Sequence, residues 1–160
     1  MEIIAEKFAK IKYDAEIFYK TLKEVYCPYF KESIAFNAKG LDHIKFKDWN
    51  RTRTIEDQYL RLKFLHLAPE VIKKSNTLQE FRKTKNFERQ KINSRWEQRM
   101  VNVKYYAFIA ILESVRIKVI VKEIEGSKII FWSLCPYWKQ HKNLDGRNIK
   151  ALYEGDLETE

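Results

Sequence analysis

The strongest constraint on the fold is an alternation of apolar and polar residues in the second half of the chain. Short polar breaks at 113–114 and at Gly126 interrupt the alternation, and Pro136 ends it. A period of two is typical of strands that bury one face, and breaks this short allow only tight antiparallel turns. The sequence therefore predicts a β-meander. Its strands cover residues 101–112, 115–125 and 128–135, and residues 86–99 extend it as a fourth strand.

The first part of the chain has the helical period instead. Apolar residues recur every three or four positions through residues 1–30, with lysines between them, which predicts an amphipathic helix. Pro28 is expected to end this helix, because its ring removes a backbone N–H and forces the preceding residue out of the helical region. A short alternating segment at 33–38 then has the composition of a strand.

Local capping signals predict further helices before the meander. Thr54 can cap a helix that has acidic residues in its first turn, and Pro69 predicts a kink or the start of a new helix. Thr77 begins a capping-box pattern, which predicts a short helix over 77–85. The result is an α+β fold, with N-terminal helices packed on an antiparallel meander of about four strands. The length suits a single domain over 1–160.

Positive charge is concentrated in the middle third of the chain. The sequence has 31 Lys and Arg against 22 Asp and Glu, for a formal net charge of +9. Between Lys39 and Met100 there are sixteen bases and eight acids, so this third supplies a balance of +8. Aromatic residues such as Trp96 lie among these bases. Cations suit phosphates and flat rings suit unstacked bases, so the mixture favours a nucleic-acid partner, the alternative being a solvated charged face.

Several functional classes are excluded because their motifs are missing. The three histidines lie far apart, and neither of the two cysteines belongs to a CxxC or CxxH pair. The chain contains no GxxxxGKS/T, GxGxxG or GxSxG motif. We therefore expect no metal and no cofactor. No apolar run reaches the roughly 18 residues that cross a bilayer, and the first residues lack the apolar core of a secretory signal. We expect a cytoplasmic protein with reduced thiols and no membrane partner.

Metal-independent cleavage of RNA is the chemistry that the remaining residues allow. A 2′-hydroxyl can attack its own 3′-phosphate if a base removes its proton and cations stabilise the transition state. In the segment 40–53, His43 is the candidate base, and we expect the cations that follow it to share one loop. Ser133 on the last strand can donate to a phosphate oxygen, although an ordinary strand serine is equally compatible with the pattern. The cations of the segment are Lys45, Lys47, Arg51 and Arg53.

The order of these segments resembles a known superfamily. A helical N-terminal region precedes GLDHIKFK, an Arg-bearing loop, the helix LRLKFLHLAPEVIKKS and the meander YYAFIAILESVRIKVIVKEIEGSKIIFWSLCPYW. Together they are similar to the barnase–EndoU–colicin–RelE (BECR) superfamily of small metal-independent ribonucleases, especially its phage- and toxin-associated branches. The resemblance covers roughly residues 33–138 and rests on loose motifs.

This resemblance implies a fold, an activity and a set of site residues. Helices before a four-stranded antiparallel sheet would carry a toxin- or defence-like endoribonuclease that cleaves tRNA or mRNA to a 2′,3′-cyclic phosphate. An inhibitor protein is then a further expected partner. The positions that match the superfamily are His43 and Ser133, with Lys45, Arg51 and Arg53 as companions. The candidate catalytic residues are then His43, Lys45, Arg51 and Ser133, and we take as candidate nucleic-acid-binding residues Lys47, Trp49, Arg53, Arg61, Lys118 and Trp132. Because the implied site contains one histidine where some members of the superfamily use two, the general acid is left to Lys45, Arg51 or Lys118.

Two other functions stay open on the sequence alone. The basic surface can belong to a non-catalytic RNA- or DNA-binding module, and the sheet face with the N-terminal helix can belong to an adaptor for a protein partner.

Residues 139–160 are polar, and 152–160 hold four acids and no base. We expect this tail to be partly frayed, the alternative being that it mimics nucleic acid and covers the basic face.

Overall fold

The chain forms an α+β fold in a computed structural model that describes residues 5–48, 50–136, 141–142, 148–149, 157–158 and 160. The helices are α1 (Ala5–Thr21), α2 (Ala38–Lys45), α3 (Ile55–Phe64) and α4 (Ala68–Lys74), with a 3-10 turn at Leu65–Leu67. The strands are β1 (Glu24–Cys27), β2 (Glu32–Ala35), β3 (Phe46–Asp48), β4 (Arg51–Thr52), β5 (Glu80–Ile92), β6 (Arg95–Leu112), β7 (Val115–Ile124), β8 (Ile130–Pro136), β9 (His141–Lys142) and β10 (Asn148–Ile149).

One mixed sheet of six strands organises the fold, in the order β1-β2-β8-β7-β6-β5. Three predicted strands of the meander are confirmed, since β6, β7 and β8 are successive antiparallel neighbours. The fourth strand was predicted over 86–99, but the turn at Asn93 and Ser94 divides that segment between β5 and β6. The sheet exceeds the expected four strands because the β1–β2 hairpin joins it through one parallel pairing of Ala35 with Ile130. Within the described residues, the second half of β8 therefore has no strand on its other side, and α2 and α3 contact it there.

Two-residue turns connect β5 to β6 and β6 to β7. Asn93 and Ser94 have φ angles of 49° and 66°, and Glu113 and Ser114 have φ angles of 49° and 63°. Positive φ at both central positions is the geometry of type I′ hairpins, which match the twist of the flanking strands. The predicted turn at 113–114 is confirmed, although neither Glu nor Ser favours that backbone region.

The capping predictions around α3 and α4 are also confirmed. The hydroxyl of Thr54 accepts a hydrogen bond from the backbone N–H of Asp57 at 3.2 Å, so it caps α3. Pro69 lies in the first turn of α4, where its missing N–H has no helical partner to lose. The two short helices are therefore set by their local sequence.

Two predicted helices are wrong in extent or in type. The N-terminal helix ends at Thr21 rather than at Pro28. Residues 24–27 alternate exposed and buried side chains and pair with β2, so they form a strand. The segment predicted as a helix over 77–85 contains the start of β5, which pairs with β6 from Glu80 onward. Long-range strand pairing outweighs the local capping-box pattern there.

The helices cover one face of the sheet, and the main core lies between the two layers. The opposite face, which we call the tail face, carries a smaller cluster of Val103, Tyr105, Ala107, Ile120 and Leu157. Leu157 is 3% exposed, so it packs on the sheet within the segment that we expected to be partly frayed. Both cysteines are free thiols. In the part of the chain that the structure describes, no helix has the length and apolarity that a membrane span requires.

Candidate active site

Helix α2 holds His43 against strand β8. The side chain of Asn37 caps the helix by accepting a hydrogen bond from a backbone N–H of the first turn at 3.1 Å. Gly40 permits the close approach, because a Cβ there would lie 2.5 Å from the carbonyl oxygen of Phe131. One turn later, the ring of His43 stacks on Trp132 with centroids 4.1 Å apart and planes at 19°. This stacking fixes the plane of the imidazole.

A β-bulge in β8 brings Trp132 and Ser133 to the same face of the sheet. Ser133 lies opposite Ile120 and Phe131 lies opposite Val121, so Trp132 is an extra residue in the strand. Trp132 packs against the tail-face cluster, to which Ile120 also belongs. Bulges re-aim side chains in this way and are common beside active sites. Two neighbouring residues that a regular strand would separate therefore both reach the tail face.

A chain of charged groups connects His43 to Ser133. Nε of Arg53 donates to the backbone oxygen of His43 at 2.9 Å, and its Nη1 donates to Oδ2 of Asp57 at 3.3 Å. Oδ1 of Asp57 accepts from Nε of Arg61 at 2.7 Å. Nη1 of Arg61 donates to Oγ of Ser133 at 2.8 Å and to the next carbonyl oxygen of β8 at 3.1 Å. The last contact gives the carbonyl oxygen of Leu134 a hydrogen bond on the side of β8 where, among the described residues, no strand pairs with it.

The two arginines of this chain are buried and charged. Arg53 is 3% exposed and Arg61 is 6% exposed. Burial, and then the nearby charge of Arg61, lowers the pKa of Arg53 to about 10. Burial alone would raise the pKa of Asp57, but the two guanidinium groups outweigh it and hold that pKa below its usual value. At neutral pH the three groups therefore carry one net positive charge.

Two lysines of β7 lie on the tail face, and each is paired with carboxylates. Nζ of the fully buried Lys118 lies 2.9 Å from Oε2 of Glu80 and 2.8 Å from Oε2 of Glu160. Burial opposes its charged form, but these two hydrogen bonds outweigh burial and raise the pKa of Lys118. Lys122 pairs with Glu88 at 2.7 Å, and its Nζ lies 4.1 Å from the indole ring that stacks on the histidine.

The described tail residues, Leu157, Glu158 and Glu160, lie against this cluster. Nε1 of Trp132 donates to the backbone oxygen of Glu158 at 3.1 Å. The carboxylate of Glu158 accepts from Nδ2 of Asn86 on β5 at 2.9 Å. These contacts hold the tail across β5 and β8, on the face where Leu157 is buried.

Glu160 contacts both ends of the candidate site. Its backbone oxygen lies 2.9 Å from Nε2 of His43, and its carboxylate accepts from Nζ of Lys118 at 2.8 Å. One residue thus presents a main-chain oxygen to the imidazole and a side-chain carboxylate oxygen to the ammonium group. The second contact is what an anion-binding position requires, namely a buried cation facing a negatively charged oxygen.

The imidazole of His43 is neutral in this arrangement. Burial, and then the charge of Arg53, lowers the pKa of His43 to about 3. The charges of Arg61 and Lys122 act in the same direction, and the bond to Glu160 opposes them. Nε2 also lies 3.1 Å from Nη2 of Arg53. In a neutral imidazole, Nε2 either carries a proton or has a lone pair. It therefore either donates to the main-chain oxygen of Glu160 or accepts from the guanidinium of Arg53.

Six of the ten predicted site residues meet in this cluster: His43, Arg53, Arg61, Lys118, Trp132 and Ser133. Lys45 lies elsewhere, against α1, where it pairs with Glu16. Arg51 is exposed on the β3–β4 hairpin, and its Nε donates to a carboxylate of the same hairpin at 2.6 Å. Lys47 is exposed on β3. Trp49 lies outside the described residues.

The segment 40–53 is not the single loop that we expected. It comprises most of α2 and the β3–β4 hairpin. Residues two apart on a helix lie on different faces, which is why Lys45 does not accompany His43. Sequence reasoning also missed Asp57 and Lys122. Asp57 lies four residues from each arginine, which is the spacing of neighbours on one helix face. Lys122 lies four residues from Lys118, which places both lysines on one face of a strand, so both spacings were available signals.

In comparisons with known proteins, no family model, no curated protein and no solved structure matches the chain. Among the described residues, no group of three or more His, Cys, Asp and Glu side chains is placed to hold a metal ion. The evidence for function therefore comes from the geometry and the charges of the cluster itself.

Proposed function

We propose that the protein is a metal-independent endoribonuclease of the toxin or defence type, in which His43 activates a 2′-hydroxyl. The observation that carries this proposal is the placement of Glu160, with one oxygen 2.9 Å from Nε2 of His43 and another 2.8 Å from Nζ of Lys118. A ribose and its 3′-phosphate likewise offer two oxygens, the 2′-oxygen to the imidazole and a phosphate oxygen to the ammonium group. Glu160 is thus proposed to occupy the place of the reacting part of the RNA.

With Glu160 displaced, Nε2 of His43 accepts the 2′-hydroxyl proton while the 2′-oxygen attacks phosphorus. The bond between phosphorus and the 5′-oxygen breaks, which leaves a 2′,3′-cyclic phosphate and a 5′-hydroxyl. The 5′-oxygen takes a proton from a general acid. Of the acids that the sequence left open, Lys45 and Arg51 lie outside the cluster and Lys118 lies within it. We therefore assign this step to Lys118, whose pKa is lowered toward the working pH when Glu160, one of the two carboxylates that raise it, is displaced.

The arginines stabilise the charge that develops on the phosphate oxygens. Arg53 and Arg61 are held in place by Asp57, so their charges are oriented before the reaction begins. Ser133 is fully buried and accepts from Arg61, which makes it a positioning residue in this proposal. Trp132 likewise positions the imidazole by stacking. The resemblance to the BECR superfamily points to the same histidine and serine.

The arrangement with Glu160 in place is the inactive form in this proposal. A pKa of about 3 makes His43 a weak base near neutral pH, where a general base works best with a pKa close to the working pH. Withdrawal of the tail returns water to the imidazole and reduces the burial that lowers its pKa. Withdrawal of the tail also removes the contact between Nε2 of His43 and the main-chain oxygen of Glu160. The lone pair of Nε2 can then accept the proton of the 2′-hydroxyl.

Incubation of the purified protein with tRNA and with bulk RNA in EDTA tests the proposal. Wild type and Leu157→Asp, which places a charge at the buried end of the tail, are compared with His43→Ala. Removal of the base should slow cleavage by roughly 10²- to 10⁴-fold. His66→Ala is the matched control, because His66 is exposed and faces Glu113 away from the cluster. No cleavage by Leu157→Asp, or full activity of His43→Ala, would contradict the proposal.

A non-catalytic RNA-binding module is the second candidate. The observation that favours it is the low pKa of His43, because a dry, neutral imidazole among arginines and lysines suits anion binding without proton transfer. This alternative predicts RNA affinity that falls steeply with salt and no strand scission by either wild type or Leu157→Asp. The cleavage assay above therefore separates the two functions.

A further inference from the structure

The long β5–β6 hairpin carries a second charged surface, away from the candidate active site. β7 pairs with β6 only as far as Val103, opposite Ile124. β5 and β6 continue to pair with each other to Ile92 and Arg95. We call residues 81–104 the arm, since its distal part extends beyond the third strand of the meander.

One face of the arm, which we call its inner face, turns toward the sheet. Glu88 on this face pairs with Lys122 of β7 at 2.7 Å. Gln90, two residues further on, donates from Nε2 to the backbone oxygen of Glu125 at 3.1 Å. Alternate residues of β5 from 84 to 92 are half-buried as a result. The β5 side of the inner face is therefore engaged by the protein itself, whereas its β6 side is exposed from Arg95 to Arg99.

The outer face of the arm is mostly exposed and all of its own charged side chains are basic, although Lys104 at its base pairs with Glu123 of β7 at 3.8 Å. It consists of the odd-numbered residues 81–91 and the even-numbered residues 96–104, which the strand register places side by side. Five of these side chains are basic and none is acidic: Lys83, Lys85, Arg89, Lys91 and Lys104. A surface of one sign selects a partner of the opposite sign. The charge of this face therefore fits an anionic partner.

Large apolar side chains stand between these cations. Phe87 is 67% exposed and lies opposite Met100, which is 57% exposed. Trp96 is 60% exposed and lies opposite Lys91, with the guanidinium carbon of Arg89 at 5.0 Å from its ring centroid. Exposed rings grouped in this way mark an interaction surface rather than a solvated one. The partner must offer flat apolar surface together with its negative charge.

We propose that the outer face of the arm binds single-stranded nucleic acid, with bases stacked on Phe87 and Trp96 and phosphates held by the neighbouring cations. Unpaired bases expose faces that stack on aromatic side chains, whereas a duplex hides them. The surface is separate from the site on the tail face. That the strand is RNA rests on the proposed function, while the stacking and the charge do not.

Fluorescence anisotropy of labelled oligonucleotides tests this surface. The probes are a short single-stranded RNA, single-stranded DNA of the same sequence and the RNA duplex, all measured in a His43→Ala background that prevents cleavage. Phe87→Ala and Trp96→Ala should each weaken single-strand binding by roughly 5- to 100-fold, the loss of one stacked base. The double variant Lys85→Gln/Lys91→Gln should reduce the slope of log affinity against log salt by about 1.4, for two phosphate contacts.

The inner face supplies the matched control. Arg95→Gln/Arg99→Gln removes the same two charges from exposed inner-face positions and should leave the affinity close to that of the parent. Equal losses in the two double variants, unchanged binding by Trp96→Ala, or equal affinity for single strand and duplex would each overturn the proposal. Tighter binding of RNA than of DNA identifies RNA as the strand, and equal binding supports the chemistry that both share.

Failure of this inference and failure of the proposed function give different results. Single-strand binding that depends on Trp96, without any cleavage by the active-site wild type or by Leu157→Asp, supports the arm and contradicts the ribonuclease. Cleavage that depends on His43, together with arm variants that bind like the parent, supports the ribonuclease and overturns the arm. A protein that binds the outer face in place of nucleic acid would leave the RNA affinity of the arm variants unchanged, which also overturns the proposal.

Discussion

The candidate site and the arm contain the same residue types in opposite surroundings. In the site, Arg53 and Arg61 are buried and share the carboxylate of Asp57. On the outer face of the arm, Lys85 and Lys91 are exposed, and no carboxylate among the described residues pairs with them. Buried charges in fixed positions suit the stabilisation of a reaction, since they do not reorganise. Exposed charges suit reversible binding, since water and salt compete for them.

The largest difference is expected when one charge is removed from each region. Arg61→Ala leaves Asp57 with a single arginine and deprives Ser133 of its donor, so we expect unfolding free energy to fall by about 3 kcal/mol, as for broken buried ion pairs. Lys85→Ala should change it by less than about 0.5 kcal/mol. Urea unfolding measured by circular dichroism compares the two variants. Equal losses would contradict the distinction between the regions.

Acid should act on the site through His43. Its pKa in the folded protein is lowered to about 3 from 6.5, mainly by burial, so between these values the unfolded chain binds a proton that the folded protein does not. Unfolding free energy therefore falls as the pH drops from 6.5 toward 3, by up to about 1.4 kcal/mol per pH unit. Above pH 6.5 the imidazole is neutral in both the folded and the unfolded state, so it no longer makes the stability depend on pH.

Urea unfolding at the two ends of this pH window measures the effect. His43→Gln should flatten the pH dependence, because it removes the titrating group. His66→Gln is the control substitution, since His66 is exposed and lies outside the cluster. Parallel profiles for wild type and His43→Gln would show that the imidazole is not held neutral by the fold.

A smaller effect is expected from opening the tail. The buried side chain of Leu157 contributes roughly 1.5–3 kcal/mol, so Leu157→Asp should raise the population of the open form roughly 10- to 100-fold. The exchange rate of the Trp132 indole proton, which bonds to Glu158, reports opening directly by NMR. Leu157→Met keeps the apolar volume and serves as control. Unchanged exchange in Leu157→Asp would mean that the tail does not cover the site.

Much of the fold could be predicted because it depends on local patterns. The alternation from Val101 to Pro136 predicts three strands, and Thr54 and Pro69 mark the starts of α3 and α4. The errors lie where distant segments pair. The capping pattern at Thr77 is satisfied within four residues, but β5 gains a partner along its whole length from β6. The same kind of pairing turns residues 24–27 from helix into strand.

The site could be predicted only in part. His43 and Ser133 were expected from the residues and the resemblance, and the structure brings them to one cluster through the two arginines. Lys45 and Arg51 follow the histidine closely in sequence, yet the helix and the hairpin direct them elsewhere. From the sequence, all bases of the middle third belong to one charged region. In the structure, the buried ones belong to the site and those of the arm are exposed.

By itself the sequence determined the period-two strands, their tight turns, the capped helices and the basic character of the middle third. Those features arise from interactions within a few residues or from composition, so they can be read without a partner. Only the tertiary structure decided the bulge at Trp132, the burial of the arginines, the neutral state of His43 and the position of Glu160. Desolvation and pairing depend on which distant segments come together, and no local pattern contains that information.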